Sequence, residues 1–249
     1  MPDVRIDLDP QRELQELKDY LGDEYRHDRL EHYQRTLDEE WAGCHDEDGF
    51  YRSSNAYLYN LTAFAMTGTK LPYLRELTRH VPPGSRLLDY GCGIGSDGLM
   101  LLKAGYKVEF ADFDNPSTAF LRWRLQQQGF DAAVHDLDKE VPGGFDASYA
   151  FDVIEHVREP WEFLKEMEKR SALVQVNLLE FDEHEQELHY ELPIPEMLRY
   201  AADRGLERYR VHYGTSHLIV YRPERVSGAR RLANRLKLAA EGVHRRLRR

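Results

Sequence analysis

Cysteine is scarce in this sequence, and long apolar runs are missing. Only Cys44 and Cys92 occur in the 249 residues, which excludes a disulfide-stapled fold and favours a reducing, cytoplasmic compartment. No stretch reaches the roughly 18 to 20 apolar residues of a membrane-spanning helix. Residues 1–5 also lack the apolar segment of a secretion signal. The sequence therefore predicts a protein that is neither secreted nor an integral membrane protein.

Positive charge is low overall and unevenly placed. The formal net charge is −10, yet residues 222–249 hold 10 basic and 2 acidic side chains, whereas residues 1–50 hold 6 basic and 16 acidic ones. An acidic body repels nucleic-acid phosphates, so no nucleic-acid partner is expected. The basic segment is expected to fold back onto the protein, to contact an anionic surface or to meet a second copy of the chain.

The pattern of the sequence changes near residue 80. Before that point, Leu14, Leu17 and Leu21 recur at helical spacing, with Gly22 as a stop. After it, short apolar runs alternate with helical periods, which is typical of βαβ units around a parallel sheet. The predicted parts are a helical cap over residues 1–80, an α/β domain over residues 81–222 and an amphipathic helix in residues 223–249.

Seven strands and four helices are predicted within the α/β domain. The last two strands are joined by Gly214-Thr215, a two-residue loop of the kind that makes a tight antiparallel hairpin. Such a loop sets Tyr213 opposite Ser216 and His212 opposite His217. The strands are expected near residues 86–90, 107–112, 131–135, 146–151, 172–179, 206–213 and 216–221, and the helices near residues 95–104, 116–128, 158–169 and 194–204.

Aromatic side chains are concentrated in the second half of the predicted cap. Most of them follow a polar loop at residues 44–49, on a helix expected to begin near Asn55. Two interpretations stand side by side: a wall that covers a small organic substrate, or the core of the cap itself. The residues concerned are Trp41, Phe50, Tyr51, Tyr57 and Tyr59.

The predicted C-terminal helix has one apolar stripe and a basic remainder. Alanine and leucine dominate the stripe, and the large aromatic side chains typical of membrane insertion are missing. Docking of the stripe onto the domain, or onto another copy, is therefore favoured over contact with an anionic surface. The stripe consists of Ala229, Leu232, Ala233, Leu236, Ala240, Val243 and Leu247.

The first predicted strand runs directly into a glycine loop at residues 91–95. Glycine is needed where a backbone takes a positive φ or approaches a ligand closely. Gly93 also begins a literal G-x-G-x-x-G string, and Asp112 follows it at about the distance at which a dinucleotide-binding fold keeps an acid for the ribose. An NAD-dependent oxidoreductase is therefore one candidate function.

Two observations weigh against a dinucleotide. Asp89, two residues before the first glycine, suits the amino group of an amino-acid ligand better than a pyrophosphate, because like charges repel. None of the fifteen tyrosines is followed by a lysine four residues later. The Tyr-x-x-x-Lys pair of a short-chain dehydrogenase is therefore missing.

A family resemblance is carried by the residues that follow the first four predicted strands. These are the loop Asp89-x-Gly91-x-Gly93-x-Gly95, then Asp112, Asp136 and the Phe-Asp-Val-Ile-Glu-His-Val segment at residues 151–157. Over about residues 80–221 they resemble the class I S-adenosylmethionine (SAM)-dependent methyltransferases. The resemblance implies SAM as cofactor and a Rossmann-like, seven-stranded, mostly parallel sheet with an antiparallel last strand and helices on both faces.

The resemblance also implies parts for individual residues. Asp89 would lie near the amino group of the cofactor, and the loop glycines would pass under its methionine and ribose. Asp112 would accept hydrogen bonds from both ribose hydroxyls, Asp136 would face the adenine amino group, and the backbone N–H of Leu137 would be available to the ring. Cys92 is read as a packing residue within the loop. The full set of expected cofactor residues is Asp89, Gly91, Cys92, Gly93, Gly95, Asp112, Phe113, Asp136, Leu137 and Phe151.

Methyl transfer requires a positioned nucleophile and is helped by a general base. His156 follows the fourth strand at the carboxyl edge of the sheet, and an imidazole titrates near working pH, so it is the candidate base; the alternative is that it caps or packs. Glu155 shares this rim as a second catalytic candidate. The expected substrate contacts are Asp152, Tyr51, Tyr57, Asn177, His184, His212 and Tyr213.

The segment at residues 151–157 looks most like that of small-molecule methyltransferases, including those acting on quinone precursors. The Asn/Asp-Pro-Pro-Tyr motif with which nucleic-acid enzymes grip a flipped base is missing there. We therefore expect transfer to an oxygen or nitrogen of a small organic molecule; the alternative is a SAM-fold protein that activates a partner enzyme. No metal is predicted, because the spacing of His184 and His189 does not place both on one helical face.

Overall fold

The computed structural model describes residues 4–44, 47–181 and 189–247. The chain forms two compact units, Met1–Val141 and Pro142–Arg249. Each unit contains its own helices and strands.

The first unit contains the predicted cap and the beginning of the sheet. Its three strands are parallel, and the register places Asp112 directly beside Asp136. The two acids therefore share the carboxyl edge of the sheet. The helices are α1 (Pro10–Leu21), α2 (His27–Glu31), α3 (Tyr33–Gly43), α4 (Glu47–Ser53), α5 (Ala56–Thr67), α6 (Leu71–His80), α7 (Ser96–Lys103) and α8 (Pro116–Gln128), and the strands are β1 (Arg86–Tyr90), β2 (Lys107–Asp112) and β3 (Val134–Asp136).

Helix α1 ends at Gly22, as the sequence predicts, and begins at Pro10 after the N-cap residue Asp9. The Asp9 carboxylate accepts a hydrogen bond from the Arg12 backbone N–H at 3.1 Å, and Gly22 ends the helix with a φ of 51°. Leu17 is fully buried and packs in one cluster with Ile94 of the glycine loop and Phe120 of α8. The cap helices therefore share a hydrophobic core with the loop that they cover.

The aromatic stretch of the cap differs from its prediction. Helix α4 begins at Glu47, within the predicted polar loop, and it holds Phe50 and Tyr51 ahead of α5. Helix α5 begins at Ala56 as expected, but its N-cap residue Asn55 makes no side-chain capping bond. The Glu40 carboxylate of α3 instead accepts the Ala56 backbone N–H at 3.2 Å. A carboxylate at a helix N-terminus is favourable because of the helix dipole, and this contact depends on tertiary structure.

The second unit continues the sheet. Strands β4 and β5 are parallel, whereas β7 is antiparallel to both of its neighbours, β5 and β6. The strands are β4 (Ala147–Ala150), β5 (Val174–Leu179), β6 (Arg204–His212) and β7 (Ser216–Arg225), and the helices are α9 (Pro160–Arg170), α10 (Ile194–Ala202) and α11 (Gly228–Leu247).

The hairpin between β6 and β7 is present, but the predicted register is wrong by one residue. His212 pairs with Ser216 and Val211 pairs with His217. The turn is three residues long because Tyr213 adopts a φ of 53° and leaves the strand, followed by Gly214 at 81°. A left-handed tyrosine is costly, so the sequence alone favours the two-residue loop.

Helix α11 docks onto β6 and α10, as the sequence favours, but through a different face from the one predicted. The completely buried residue is Asn234, whereas Leu232 and Leu236 of the expected apolar stripe are each 62% exposed. Polar contacts to the backbone hold the helix in place.

The predicted fold class is confirmed. In the described part of the chain, seven strands form one mixed sheet in the order β3-β2-β1-β4-β5-β7-β6, with β7 antiparallel to its neighbours. The architecture is α/β and Rossmann-like. A search of the described helices finds none long and apolar enough to cross a membrane.

Candidate active site

The glycine loop turns sharply at the end of β1. Gly91, Gly93 and Gly95 have φ values of 81°, 51° and 73°, which L side chains rarely adopt. The backbone N–H of Gly91 donates to the Ala111 carbonyl at 2.8 Å, so the loop is bonded to β2. Gly95 then caps the N-terminus of α7. The loop is thus fixed in shape by its own backbone bonds.

Two of these glycines also make room for protein side chains. A Cβ on Gly93 would lie 2.9 Å from Leu61 Cδ1 of α5, and one on Gly95 would lie 2.3 Å from Leu121 Cδ1 of α8. The sequence predicts glycine here for the approach of a ligand. In the structure the close approach on these two sides comes from the cap and from α8.

Asp112, at the end of β2, organises the loop. Its Oδ2 accepts the Gly93 backbone N–H at 2.7 Å, and its Oδ1 accepts the Phe113 backbone N–H at 2.7 Å. Burial raises the pKa of this carboxyl, and the two backbone hydrogen bonds act in the opposite direction. A carboxylate has about four lone-pair sites, so both oxygens retain capacity for hydroxyl donors.

Asp89 lies in β1, just before the loop. It is buried, and its Oδ2 would be 3.0 Å from a Cβ placed on Gly98 of α7. Glycine at position 98 therefore leaves space for this carboxylate. A buried acid beside the first residues of a helix lies where the backbone N–H groups favour negative charge.

Asp136 and Leu137 follow β3 at the same edge. The Asp138 backbone N–H donates to Asp136 Oδ1 at 3.0 Å, and with the nearby Lys139 ammonium it lowers the pKa of Asp136. The backbone N–H of Leu137 donates to the Asp112 carbonyl at 3.0 Å. The expectation that this N–H is available to an adenine ring is therefore wrong.

Helix α4 contacts this edge through Tyr51 and through Arg52, which the sequence did not single out. The Arg52 guanidinium donates to Asp138 Oδ1 at 2.9 Å and lies 4.5 Å from the centre of the Phe113 ring. The Asn115 amide donates to the Tyr51 carbonyl at 3.2 Å. These pairs are more than 60 positions apart in sequence, and no local pattern marks them.

The aromatic residues of the cap divide into two groups. Phe50 and Tyr59 are buried and belong to the core. Tyr51 and Tyr57 are half-buried, with ring centres 5.5 Å apart, and both contact Phe50 edge-on. The structure thus brings the two predicted substrate contacts together on a buried aromatic base.

Cys92 is expected to react slowly with alkylating agents. Burial raises the pKa of its thiol well above the usual value, and the nearby Asp112 and Asp89 carboxylates add to the effect. Because the thiolate is the reactive form, we expect iodoacetamide at pH 8 to modify Cys92 at least about tenfold more slowly in the folded protein than in urea. Peptide mass spectrometry measures both rates, and equal rates would rule out the packing role.

In the second unit, Asp152 is held in a strained conformation after β4. It is not glycine, yet its φ is 54°, a conformation that persists only when surrounding contacts enforce it. Its backbone N–H donates to Asn177 Oδ1 at 2.8 Å, and Asn177 Nδ2 donates to Asp152 Oδ1 at 2.6 Å and to Ser216 Oγ at 3.1 Å. Asn177 is completely buried, so it positions Asp152.

The two catalytic candidates lie in a short 3₁₀ helix, Ile154–His156. Glu155 is buried and its carbonyl accepts the Tyr190 backbone N–H at 2.7 Å. His156 is half-buried, and its ring centre lies 4.6 Å from that of His189, edge to face. The structure therefore separates the pair into a buried acid and an accessible imidazole.

Phe151, which the sequence predicts as a cofactor contact, lies in the hydrophobic core. Its side chain is buried, with its ring 5.2 Å from the ring of Tyr149 in β4. Phe151 therefore forms part of the core beneath Asp152.

The hairpin supplies a further cluster. Tyr209 Oη and His217 Nδ1 are 2.8 Å apart, and His217 Nε2 is 2.9 Å from Glu180 Oε1. His217 is buried, whereas Tyr213 at the tip is well exposed and His212 is half-buried. The cluster becomes apparent only with the corrected register, which puts Tyr209 and His217 on one face of the hairpin.

His184 lies outside the described residues, as do the acids that separate it from His189. Within the ranges that the structure describes, there is no group of three or more His, Cys, Asp or Glu side chains able to hold a metal ion.

The mixed sheet, the loop after β1 and the acids near the ends of β1, β2 and β3 agree with the Rossmann-like methyltransferase fold that the sequence predicts. In agreement with this, residues 88–172 match the family model described as "Methyltransferase domain". The chain therefore carries a methyltransferase domain.

Curated relatives share part of this region. The ubiquinone biosynthesis O-methyltransferase of Caulobacter sp. (strain K31) is 32% identical over 94 residues, which are 36% of this chain and 37% of that protein. The enzyme of the same name from Xanthomonas campestris pv. campestris (strain B100) is 28% identical over 106 residues, 41% of this chain and 44% of that protein. The matched stretch thus spans less than half the length of these relatives.

Solved structures share the fold at low sequence identity. The SAM-bound magnesium protoporphyrin IX methyltransferase of Synechocystis PCC 6803 has a TM-score of 0.53 and 12% identity, covering 88% of this chain and 100% of that one. The PH0226 protein of Pyrococcus horikoshii OT3 has a TM-score of 0.53 and 17% identity, covering 70% of this chain and 95% of that one. At this identity the likeness concerns the fold alone.

Proposed function

We propose that this protein is a SAM-dependent methyltransferase that acts on an oxygen or nitrogen of a small organic molecule. The observation that carries the proposal is Asp112: a half-buried acid at the end of β2 that shapes the glycine loop and keeps acceptor capacity on both oxygens. The methyltransferase domain match over residues 88–172 supports the same chemistry. An NAD-dependent oxidoreductase has no comparable support.

The residues of the first unit fit SAM by their chemistry. Asp112 offers acceptors to the two ribose hydroxyls, and Asp89 offers a buried carboxylate to a cationic amino group. Asp136, whose pKa is lowered, is an ionised acceptor for the adenine amino group. The Phe113 ring, already in contact with Arg52, offers an apolar face to the adenine. These four residues and the loop glycines would hold the cofactor.

When bound, SAM supplies the methyl group on its sulfonium. The rest of the work falls to residues that orient the acceptor and remove its proton. We assign proton removal to His156, which is accessible, and orientation to Asp152, which Asn177 holds in place. The Glu155 side chain is buried, and the Glu155 carbonyl accepts the Tyr190 backbone N–H. We assign to Glu155 the positioning of the short 3₁₀ helix that holds His156.

We propose an oxygen of a phenolic quinone precursor as the acceptor. The support is the printed name of the relatives, ubiquinone biosynthesis O-methyltransferase. Tyr51 and Tyr57 of the cap would contact an aromatic ring of this kind edge-on or face-on. Substrate contacts for His184, His212 and Tyr213 remain part of the proposal, as does a cytoplasmic location, which the scarcity of cysteine in the sequence favours.

Replacing His156 by alanine is expected to leave SAM affinity within about twofold and to lower turnover by about 10²- to 10⁴-fold, the range for loss of a general base. The assay follows transfer of the labelled methyl group from SAM to a panel of catechols and phenols. His27, an exposed histidine on α2, provides the control variant His27→Ala, for which turnover stays at the wild-type level.

The pH dependence separates catalysis from structure. A general base accepts a proton only in its unprotonated form, so the wild-type rate is expected to rise with pH. The His156→Ala variant loses this rise. Full activity in His156→Ala, or an unchanged pH profile, would remove His156 as the base.

A further inference from the structure

Helix α11 is held to the second unit by polar contacts along one face. Asn234 Nδ2 donates to the carbonyls of Ala202 and Arg204 at 3.0 and 2.8 Å. The Glu241 carboxylate accepts the Val211 backbone N–H at 3.3 Å. Val211 lies near the end of β6, whereas Asn234 contacts the beginning of this strand. This face of α11 covers β6, an edge strand of the sheet. The unpaired backbone groups of an exposed edge strand can otherwise pair with another chain and cause aggregation.

The apolar stripe lies on the opposite face and points to solvent. Leu232 and Leu236 are four residues apart and each is 62% exposed. At 3.6 residues per turn, each is separated from Asn234 by about 200° around the helix axis. Three exposed alanines extend the same stripe. They are Ala229, Ala233 and Ala240.

The charges beside the stripe are positive. Arg230 and Arg235 are exposed on opposite sides of the helix, about 40° and 100° around its axis from Asn234, and Arg235 also lies 3.2 Å from Asp203 Oδ1. Residues 222–249 contain two acids, Glu224 and Glu241, and Glu241 is bonded to the strand on the docked face. A second copy of this helix would bring arginines against arginines. The charge of the surface therefore favours an anionic partner over self-association.

We propose that α11 lies in the surface of an anionic phospholipid bilayer. Leu232 and Leu236 enter the boundary between headgroups and acyl chains, and Arg230 and Arg235 contact lipid phosphates from both sides. Most side chains of the stripe are alanine, so the helix inserts only a short distance into the bilayer. Binding is therefore peripheral, reversible and dependent on the anionic lipid. The geometry points to a docking face on the side of the helix opposite the Asn234 and Glu241 contacts. This inference is independent of the methyl-transfer chemistry.

Cosedimentation of the full chain with lipid vesicles tests the proposal. Vesicles of phosphatidylglycerol and phosphatidylcholine in a 1:2 ratio are expected to bind the protein, and vesicles of phosphatidylcholine alone are expected not to. Raising NaCl from about 0.1 to 0.5 M weakens binding at least fivefold, because the Debye length becomes shorter. Equal binding to both vesicles, or no binding to either, would overturn the proposal.

Substitutions on the stripe provide the matched comparison. The double variant Leu232→Gln/Leu236→Gln keeps good helix formers and is expected to lose at least tenfold in vesicle affinity, as is Arg230→Gln/Arg235→Gln. The variants Leu232→Met/Leu236→Met and Arg210→Gln, an exposed arginine of β6, retain wild-type binding. Circular dichroism establishes that each variant is folded.

The rival partner is a second copy of the chain. If light scattering finds a dimer that Leu232→Gln/Leu236→Gln converts to a monomer, while vesicles bind neither form, the stripe is a protein contact and the membrane proposal is wrong. SAM affinity is measured in parallel, and it is expected to be the same in all of these variants. If the wild-type protein did not bind SAM, the proposed function would be contradicted, whereas the vesicle result would still stand.

Discussion

Replacing Asp112 by alanine is expected to lower the affinity for SAM by about 10²- to 10⁴-fold. The variant removes the acceptor of two ribose hydroxyls, and a hydrogen bond to a charged group contributes about 1.5 to 3 kcal/mol. It also releases the backbone N–H groups of Gly93 and Phe113, which the carboxylate holds at 2.7 Å. Loss of the ribose contacts and loss of the loop shape act in the same direction.

Calorimetric titration with SAM measures the effect. The variant Asp112→Asn keeps the size of the side chain and one acceptor oxygen, so its loss is expected to be intermediate. Asp131→Ala, at an exposed acid after α8, serves as the control and retains wild-type affinity. An Asp112→Ala protein that binds SAM as the wild type does would remove the ribose assignment.

The same carboxyl sets a pH dependence. Because burial raises the pKa of Asp112, the group takes up a proton at a higher pH than an ordinary aspartate. The protonated form is a poorer acceptor for two hydroxyls. SAM affinity in the wild type is therefore expected to fall on acidification before the range of an exposed aspartate is reached, and the Asp112→Asn variant is expected to lack this change.

Replacing Arg124 by alanine is expected to destabilise the protein by about 3 to 5 kcal/mol, the cost of leaving a buried charge without its partner. Arg124 of α8 is 1% exposed, and it donates to Glu16 Oε2 and Glu13 Oε1, both at 2.7 Å. It also donates to the Ile94 carbonyl and the Ser96 hydroxyl at 2.9 Å. One side chain thus joins α1 of the cap to the glycine loop.

Urea denaturation measures this free energy of unfolding. Arg122→Ala is the control on the same helix, because Arg122 forms an exposed pair with Asp114 that contributes about 1 kcal/mol or less. The triple variant Arg124→Met/Glu13→Gln/Glu16→Gln is expected to recover part of the loss, because it removes the buried charges together. If Arg124→Ala and Arg122→Ala unfold at the same urea concentration, the buried cluster does not hold the cap on the loop.

Local sequence patterns were enough to predict individual strands and helices, and the family resemblance implied how the strands form one sheet. The apolar runs at residues 86–90 and 107–112 match β1 and β2 at both ends, and the helix expected at residues 116–128 matches α8. The glycine loop and the acids after the strands could also be found, because each follows a strand end in sequence. Local propensity and burial act in the same direction at these positions.

Other features depend on contacts between distant residues and could not be predicted in this way. The hairpin register depends on the left-handed φ of Tyr213. Tyrosine rarely adopts this backbone conformation, so the sequence does not predict it. The side chains of Arg52 and Arg124 find their partners across the fold. For α11 the periodicity indicates an apolar stripe, but polar contacts of Asn234 decide which face is docked.

The central claim is that the site binds SAM and not a nicotinamide dinucleotide. One calorimetric experiment tests it most directly: titration of the wild-type protein with SAM, and a parallel titration with NADH. The account predicts saturable binding of SAM at one site per chain, and no heat of binding with NADH. Saturable binding of NADH without binding of SAM would contradict the account and restore the oxidoreductase interpretation of the Gly93 string.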